Sequence, residues 1–218
     1  IGVASVITMI AIGSGARAAV DEQIDALGAS VLSVRAGSFM QMGVARSAAT
    51  LTIDDATAIA RDTPSVRAVV PEIGGQQQIK NGNRNENLRV VGVSANFAEV
   101  LGHELAAGRL FSNADDASRR TVAVLGSGVP AKLGSSSGAI VGQTVYIKGL
   151  AFEVVGVLAE KGASGFRNVD EQIWIPFYTA RYRVYGTAQV DTISAQMAPG
   201  VSVERAIVEI ERVMRRQH

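Results

Sequence analysis

Three acidic pairs and two histidines are the side chains in this sequence that could carry acid–base or metal chemistry. Adjacent carboxylates can act as general acid and general base, and histidine is the commonest metal ligand. The pairs are Asp54/Asp55, Asp115/Asp116 and Asp170/Glu171, and the histidines are His103 and His218. Each pair lies at a predicted helix start or in a loop, where carboxylates are common for structural reasons. We therefore expect no catalytic residue, no bound cofactor and no metal site.

A glycine-rich string, Gly126-Ser127-Gly128, lies between an apolar strand pattern and a helix pattern. This order suggests a phosphate-binding loop, but the lysine and hydroxyl residue of the nucleotide motif are missing, as is the third glycine of the dinucleotide motif. Ser127 also lacks the spacing of a nucleophile elbow. The string gives little support to nucleotide binding or to a serine hydrolase.

The composition excludes further classes of function. The 218-residue chain has 21 basic and 20 acidic residues, 5% aromatic residues and no cysteine. A formal net charge of +1 and few aromatic rings disfavour nucleic-acid binding. Without cysteine, disulfides, thiol catalysis and thiolate metal sites are excluded. With 47% apolar residues, the chain should fold as one large domain or two small ones.

The beginning of the chain has the character of a membrane anchor. Residues 1–16 carry no charge. Because a full membrane helix needs about 20 apolar residues, this segment predicts only the outer end of one, with a buried helix or a signal-peptide core as alternatives. From Ala16 to Leu27, apolar residues recur at helical spacing, which predicts an amphipathic lever leaving the membrane. Gly13 and Gly15 are the candidate hinge residues.

The rest of the sequence alternates between strand and helix patterns. Thr52 and Asp55 have capping-box spacing. Pro71 within a strand pattern predicts an edge or a bulge. Polar residues 81–87 predict a hairpin tip. The predicted elements are strands at 31–36, 66–73, 76–80, 88–94, 121–126, 143–147, 152–158, 172–176 and 189–197, and helices at 52–62, 96–101, 127–133, 177–185 and 202–217.

The order of these elements predicts an α+β (mixed α/β) fold in two parts. Residues 95–187, rich in β-hairpins, form an insertion into a first subdomain that contains residues 16–94 and 188–218. The last helix has one apolar stripe, which predicts a packing face. That stripe consists of Val203, Ala206, Ile207, Ile210, Val213 and Met214.

Short strings spread over the whole chain carry a family resemblance. Each is weak alone, but their order and spacing are specific. They are Ile1 to Val6, Gly13 to Ala16, Leu27 to Val34, Leu51 to Asp55, Val69 to Pro71, Val91 to Val93, Ala107 to Phe111 with Asp115-Asp116, Val122 to Gly126, Val141 to Gln143, Phe152 to Leu158 and Ile173 to Pro176. Together they resemble the extracytoplasmic core domain of MacB-like and FtsX-like permeases of ABC transporters.

The resemblance implies a domain between the first two membrane helices of a permease in the bacterial cytoplasmic (inner) membrane, on its periplasmic side. Residues 1–15 would end the first transmembrane helix, 16–94 and 188–218 would form a porter-like βαβ-type subdomain, and 95–187 the inserted one. The intact transporter would be a homodimer. ATP would be used by a separate cytoplasmic nucleotide-binding domain, since this chain has no Walker motif.

The implied function is non-catalytic. The domain would transmit motion driven by ATP hydrolysis and contact a periplasmic adaptor. The alternatives are an FtsX-type regulator of a cell-wall hydrolase, a lipoprotein-releasing permease domain, or an enzyme with an unrecognised site. We place the candidate partner contact at Phe166, Arg167, Asp170 and Glu171, because an aromatic residue and an arginine in a glycine-rich loop suit an interface.

Overall fold

The fold is described from a computed structural model. The described residues are 31–35, 40–41, 44–45, 50–164 and 167–218. The predicted membrane-helix end at 1–15, its hinge residues Gly13 and Gly15, and the lever at 16–27 lie outside them, as does Phe166. Over the described residues the mixed α/β class is confirmed.

Strands and helices alternate along the chain. The strands are β1 (Val31–Arg35), β2 (Met40–Gln41), β3 (Val44–Ala45), β4 (Leu51–Thr52), β5 (Val66–Asn81), β6 (Arg84–Val93), β7 (Leu105–Gly108), β8 (Val122–Leu125), β9 (Thr144–Ile147), β10 (Leu150–Leu158), β11 (Ala163–Ser164), β12 (Arg167–Asn168), β13 (Gln172–Pro176), β14 (Gln189–Val190) and β15 (Thr192–Met197). The helices are α1 (Ile53–Asp62), α2 (Phe97–Leu101), α3 (Asn113–Ala117), α4 (Val129–Lys132), α5 (Ser137–Ile140), α6 (Phe177–Thr179), which continues as a π-helical turn over Ala180–Tyr185, and α7 (Val203–Gln217). Every element predicted after residue 50 is present, although two predicted strands merge into β5 and one divides into β14 and β15.

One mixed sheet of nine strands lies at the centre of the described fold. Its order is β1-β15-β5-β6-β13-β8-β10-β7. β9 pairs with β10 and also with the end of β5, where Ile147 opposes Ile79. The strands β5, β6, β13, β8, β10 and β9 therefore close into a six-stranded ring. β15 and β1 extend the sheet from the N-terminal half of β5.

Side chains of the ring strands alternate between two apolar cores. Ile173 and Ile175 belong to the larger core, whereas Trp174 between them belongs to the second. Phe152 is fully buried in the larger core. In the second core, Phe97 of α2 stacks on Trp174 with ring centroids 5.9 Å apart. β13 is therefore packed on both faces, as its continuous apolar sequence indicates.

Pro71 does not interrupt its strand. β5 runs through it, and Pro71 opposes Ile193 of β15. On the other side, β6 ends at Val93, which opposes Glu72. Because the carbonyl of Glu72 accepts a bond from Asp191 on the β15 side, the nitrogen of Pro71 points the opposite way, past the end of β6. The strand continues through Pro71, and the proline is tolerated because the sheet has a local edge there, where β6 ends.

The hairpin between β5 and β6 is tighter than the predicted polar tip at residues 81–87. Asn81 opposes Arg84, so the turn contains only Gly82 and Asn83. Gly82 has a φ of +57°, the left-handed conformation that two-residue hairpin turns use. Most of the predicted tip belongs to β6 instead.

The predicted boundaries between the two subdomains fall inside the sheet. β6, before the first boundary, pairs in parallel with β13 of the insertion, from Arg89 opposite Gln172 to Val93 opposite Pro176. β5 and β9 pair across the same division. The two parts share hydrogen-bonded strands, and the division at residues 94 and 188 stays a prediction.

The apolar stripe of α7 is buried over only part of its length. Ala206, Ile210 and Val213 are buried. Val203 and Ile207 are 39% and 41% exposed, so the predicted packing stripe is wrong for these two residues. Glu209 already reaches Ser65, beyond the end of α1. Among the stripe residues before Glu209, Ala206 is buried and Val203 and Ile207 are exposed.

Candidate functional site

The predicted contact residues lie in the connection between β10 and β13. Within it, β11 and β12 pair as a short hairpin, with Ser164 opposite Arg167. Phe166 falls between these strands in sequence. Asp170 and Glu171 follow in a 3-10 turn that leads into β13. We call residues 159–171 the connecting hairpin. Its base contains the two acids, and we call Phe166 and Arg167 its tip from their place in the sequence.

Asp170 fastens the base of the connecting hairpin. Its two carboxylate oxygens accept hydrogen bonds from the backbone nitrogens of Lys161 and Gly162, at 3.0 and 2.8 Å. Burial alone would raise the pKa of Asp170, but these bonds outweigh it and lower the pKa below its usual value. Nζ of Lys161 donates to the carbonyl of Gly102 at 2.9 Å, which ties the hairpin to the end of α2. Asp170 thus has a structural role.

Glu171 pairs with Lys132 of α4. The Nζ to Oε2 distance is 2.7 Å, and both side chains are well exposed. An exposed pair of this kind contributes at most about 1 kcal/mol to stability. The acids of the predicted contact therefore both have partners within the chain, and the binding role predicted for these residues stays a prediction.

The Gly126-Ser127-Gly128 string packs closely against the backbone at the base of the same hairpin and donates hydrogen bonds to it. Gly128 N donates to the carbonyl of Asp170 at 2.9 Å, and Gly126 N donates to that of Gln172 at 2.8 Å. A Cβ on Gly126 would lie 2.4 Å from the Asp170 carbonyl oxygen. Glycine is needed there because the two backbones approach closely. Packing therefore explains the glycines of this string without a bound phosphate.

Asp115 is a buried carboxylate at the centre of a structural network. It accepts bonds from the backbone and hydroxyl of Ser112 in a capping box, and from Arg109 and Arg120 at 2.9 and 3.1 Å. Burial alone would raise the pKa of Asp115, but the bonds from Ser112 and Arg109 outweigh it and lower the pKa to about 2. The group stays ionised and unsuited to proton transfer near neutral pH.

The other two buried carboxylates also hold helix ends. Asp116 accepts a bond from the backbone nitrogen of Tyr178 at 2.8 Å, and burial raises its pKa in spite of that bond. Asp55 completes the predicted capping box with Thr52, which is confirmed. His218 lies 3.3 Å from Asp55. These acids stabilise helix starts.

His103 packs among aromatic rings. Its ring centroid is 5.1 Å from that of Trp174. Burial, and then the nearby charge of Lys161, lower the pKa of His103 to about 4, so the ring is neutral at pH 7. No group of three or more His, Asp or Glu side chains with metal-binding geometry occurs in the part of the chain that the structure describes.

Three contacts fasten α7 to α1 and the turn after it; we call them the α7 clamp. They join Glu209 to the backbone nitrogen of Ser65 at 3.1 Å, Arg216 to Asp62 at 3.5 Å, and His218 to Asp55 at 3.3 Å. On the same helix, Ala206, Ile210 and Val213 are buried. α1 in turn packs on β5. The last helix is thus connected to the central sheet through α1.

A basic surface that the sequence analysis did not single out lies at the π-helical turn. Tyr182 is half exposed, and the guanidinium carbons of Arg119 and Arg181 lie 4.1 and 5.1 Å from its ring centroid. Arg120 and Arg183 line an adjoining groove of about 470 Å³. We call these five residues the arginine patch. Its two arginine-rich strings are far apart in sequence, so only the fold could reveal it.

The fold and these side chains define a class of protein: a mixed α/β domain whose buried carboxylates stabilise its helices and loops. Capping, backbone hydrogen bonds and close packing account for its buried acids, for Asp170 and for the Gly126-Ser127-Gly128 string. Among the residues that the structure describes, no helix is long and apolar enough to cross a bilayer.

Comparison with known sequences gives the family. The model of the MacB-like periplasmic core domain matches residues 1–213, and the chain belongs to this family. It is 32% identical to the macrolide export ATP-binding/permease protein MacB of Bdellovibrio bacteriovorus and 35% identical to the pyoverdine export ATP-binding/permease protein PvdT of Pseudomonas aeruginosa. All of the chain is aligned, but it spans only 34% and 32% of these relatives.

Solved structures confirm the fold. The periplasmic region of MacB from Actinobacillus actinomycetemcomitans matches with a TM-score of 0.74 at 19% identity, covering 88% of this chain and 85% of that one. The extracellular domain of the noncanonic ABC-type transporter YknZ from Gram-positive bacteria matches with a TM-score of 0.68 at 18% identity, covering 87% and 95%. The predicted resemblance to MacB-like periplasmic domains is therefore confirmed.

Proposed function

We propose that this chain is a non-catalytic domain of an ABC-type export permease, on the periplasmic side of the inner membrane, which transmits motion driven by ATP hydrolysis elsewhere in the transporter. The observation that carries the proposal is the α7 clamp. A helix that transmits motion must be fastened to the body that it moves. α7 is fastened by both buried apolar residues and polar contacts.

The path from α7 into the domain is short. α1 lies between α7 and β5, and β5 takes part in both the ring and the extension through β15. Because packed cores resist deformation, a displacement of α7 would move the sheet as a body. The relatives named for macrolide and pyoverdine export support export over regulation of a hydrolase.

The clamp can be tested with one substitution in the full-length transporter. Glu209→Ala removes the carboxylate that accepts from Ser65 N. We expect export to fall by about threefold or more, while ATP hydrolysis by the purified transporter continues. Efflux of a macrolide and of pyoverdine, the cargoes named for the relatives, would be measured beside ATPase activity.

Glu211→Ala is the matched control. Among the described residues, Glu211 pairs only with Arg215 on the same helix. Its loss therefore removes a similar charge and leaves the clamp intact. Equal export by the two variants would contradict the clamp as a transmission element. Equal losses of ATPase activity and export in Glu209→Ala would indicate misfolding rather than uncoupling.

We also propose that the tip of the connecting hairpin contacts a periplasmic adaptor, with the intact transporter acting as a homodimer. The support is that different residues of the hairpin fix its base and form its tip. Asp170 and Lys161 fasten its base to the body, so Phe166 and Arg167 need not stabilise that base. An aromatic residue and an arginine on a fastened loop suit a binding hot spot.

The contact can be tested by replacing the tip. Phe166→Ala with Arg167→Ala should reduce co-purification of the adaptor by about tenfold without changing the thermal stability of the domain. Tyr146→Ala removes a different exposed aromatic residue, on β9, and should leave the complex intact. Unchanged co-purification with the hairpin variant would exclude this surface as the adaptor contact.

A further inference from the structure

The arginine patch contains positive charge that the described chain does not neutralise. Arg120 pairs with Asp115 at 3.1 Å and with Glu153 at 3.7 Å. No carboxylate of the described residues lies within 4.0 Å of the guanidinium groups of Arg119, Arg181 or Arg183. In a chain with a formal net charge of +1, this is a local concentration of charge. Such a concentration attracts anions.

Two hydrogen bonds to residues beside the patch hold its two segments together. The backbone of Tyr178 donates to Asp116 at 2.8 Å, and the hydroxyl of Thr179 donates to the carbonyl of Arg120 at 2.9 Å. These two bonds join the turn that carries Arg119 and Arg120 to the helix that carries the other residues of the patch. A surface fixed before binding loses less entropy when a partner docks.

Arg119 occupies a backbone conformation that favours glycine. Its φ is +53°, which costs a residue with a Cβ roughly 1 kcal/mol. Its nitrogen donates to the carbonyl of Asp116 at 2.9 Å, which keeps the turn closed. The side chain then lies over the ring of Tyr182, 4.1 Å from its centroid. Arginine at this position is explained by its side chain and not by its backbone.

We propose that the arginine patch binds an acidic segment of a partner protein. Guanidinium groups bind carboxylates through paired hydrogen bonds, and arginine and tyrosine are enriched among residues that dominate protein–protein binding. Thr121 and Thr144 also line the adjoining groove and add hydroxyl groups. Glu153 lines the same groove, where it is paired with Arg120. This surface is separate from the connecting hairpin and from the α7 clamp, so the proposal does not depend on either.

The chemistry of the patch favours a protein over an anionic membrane. Surfaces that bind membranes combine basic residues with exposed apolar side chains that enter the lipid. The five residues of the patch include no aliphatic side chain, and the guanidinium groups of two arginines lie against its one aromatic ring. A planar guanidinium stacked on a ring is pre-oriented for a carboxylate.

The test uses the full-length protein in detergent and a fluorescein-labelled peptide of alternating glutamate and glycine. We expect binding that weakens as salt is added. Arg119→Gln with Arg181→Gln should weaken it by about tenfold. Tyr182→Phe, which keeps the ring, should bind as the parent does. The variant carrying Arg67→Gln and Arg212→Gln, two exposed arginines on β5 and α7, removes equal charge and should also bind normally.

Three results would overturn the proposal. The first is equal binding by the patch variant and the charge-matched control. The second is equal binding of the corresponding glutamine–glycine peptide. The third is patch-dependent binding to phosphatidylglycerol vesicles without binding to the peptide, which would assign the surface to the membrane. Thermal unfolding of each variant, expected to match the parent because the altered side chains are at the surface, separates lost binding from lost folding.

Discussion

Gly126→Ala should lower the free energy of unfolding by about 3 kcal/mol, although it adds a single methyl group. The new Cβ would lie 2.4 Å from the carbonyl oxygen of Asp170, 2.7 Å from its carbonyl carbon and 2.8 Å from the oxygen of Val169. All three are backbone atoms, so no side-chain rotation can relieve the contact. The strand end or the hairpin base must move, which stretches the bonds from Gly126 and Gly128 to that base.

Gly138→Ala is the control for this prediction. Gly138 lies in α5, and a Cβ there would meet no heavy atom within 4 Å. Alanine favours helix over glycine, so we expect a gain of up to about 1 kcal/mol. Urea denaturation of both variants measures the difference. Similar stabilities for the two variants would show that the hairpin base yields easily, contrary to the backbone packing described here.

The same comparison bears on function. The connecting hairpin is held by Asp170, and Asp170 is held against Gly126 and Gly128. A displaced base would move the proposed adaptor contact together with it. Under the proposed function, Gly126→Ala should weaken the adaptor complex even where the domain remains folded, whereas Gly138→Ala should not.

The parts of the fold that sequence predicted are those with local causes. The capping box of Thr52 and Asp55 is encoded within four residues, and the structure reproduces it. The strands predicted at 143–147 and 152–158 are confirmed as β9 and β10, which pair as a hairpin with Phe152 buried. Local hydrogen bonds and periodicity need no knowledge of the rest of the chain.

Closure of the ring could not be predicted in the same way. Alternation in β5 and β9 indicates which side chains are buried, but not that Ile79 and Ile147 face one another. Pro71 illustrates the same limit, because its tolerance depends on where a different strand, β6, ends. Pairing of distant strands is set by tertiary packing, which a pattern in one segment does not record.

The candidate sites also differ in whether their residues are neighbours in the sequence or are brought together by the fold. Sequence pointed to the connecting hairpin because its aromatic, arginine and acidic residues are neighbours in the chain. The arginine patch was missed since Arg119 and Tyr182 meet only through the contacts of α3 with α6. The clamp residue Glu209 was passed over as one charge among many on an amphipathic helix, and its bond to Ser65 is visible only in the fold.

Asp115→Asn should remove about 2 kcal/mol of pH-dependent stability. The pKa of Asp115 is about 2 in the folded protein, below the ordinary value of 3.8. A carboxyl group with a lowered folded pKa stabilises the fold above its unfolded pKa, and this contribution is lost as the pH falls from 3.8 through 2. Stability of the parent should therefore fall more steeply below pH 4 than that of the variant.

The pH window separates Asp115 from the other buried groups. His103 has its pKa lowered to about 4 from 6.5, so its destabilising protonation develops at higher pH. Asp116 has a raised pKa and acts in the opposite direction to Asp115. Both groups are present in the parent and in Asp115→Asn, so their contributions cancel when the two stability curves are subtracted.

Asp54→Asn provides the matched substitution at another helix start. Asp54 lies in the first turn of α1, and its side chain is exposed. Loss of its charge should change stability by no more than about 1 kcal/mol through the helix dipole. Urea denaturation from pH 7 to 2 would measure the free energy of unfolding of all three proteins.

Parallel curves of stability against pH for the parent and Asp115→Asn would mean that Ser112, Arg109 and Arg120 do not stabilise the ionised carboxylate. A difference that is present at pH 7 and disappears as the pH falls from 3.8 through 2 would confirm that the ionised Asp115 stabilises the fold. It would also remove the reason to seek acid–base chemistry at this carboxyl group.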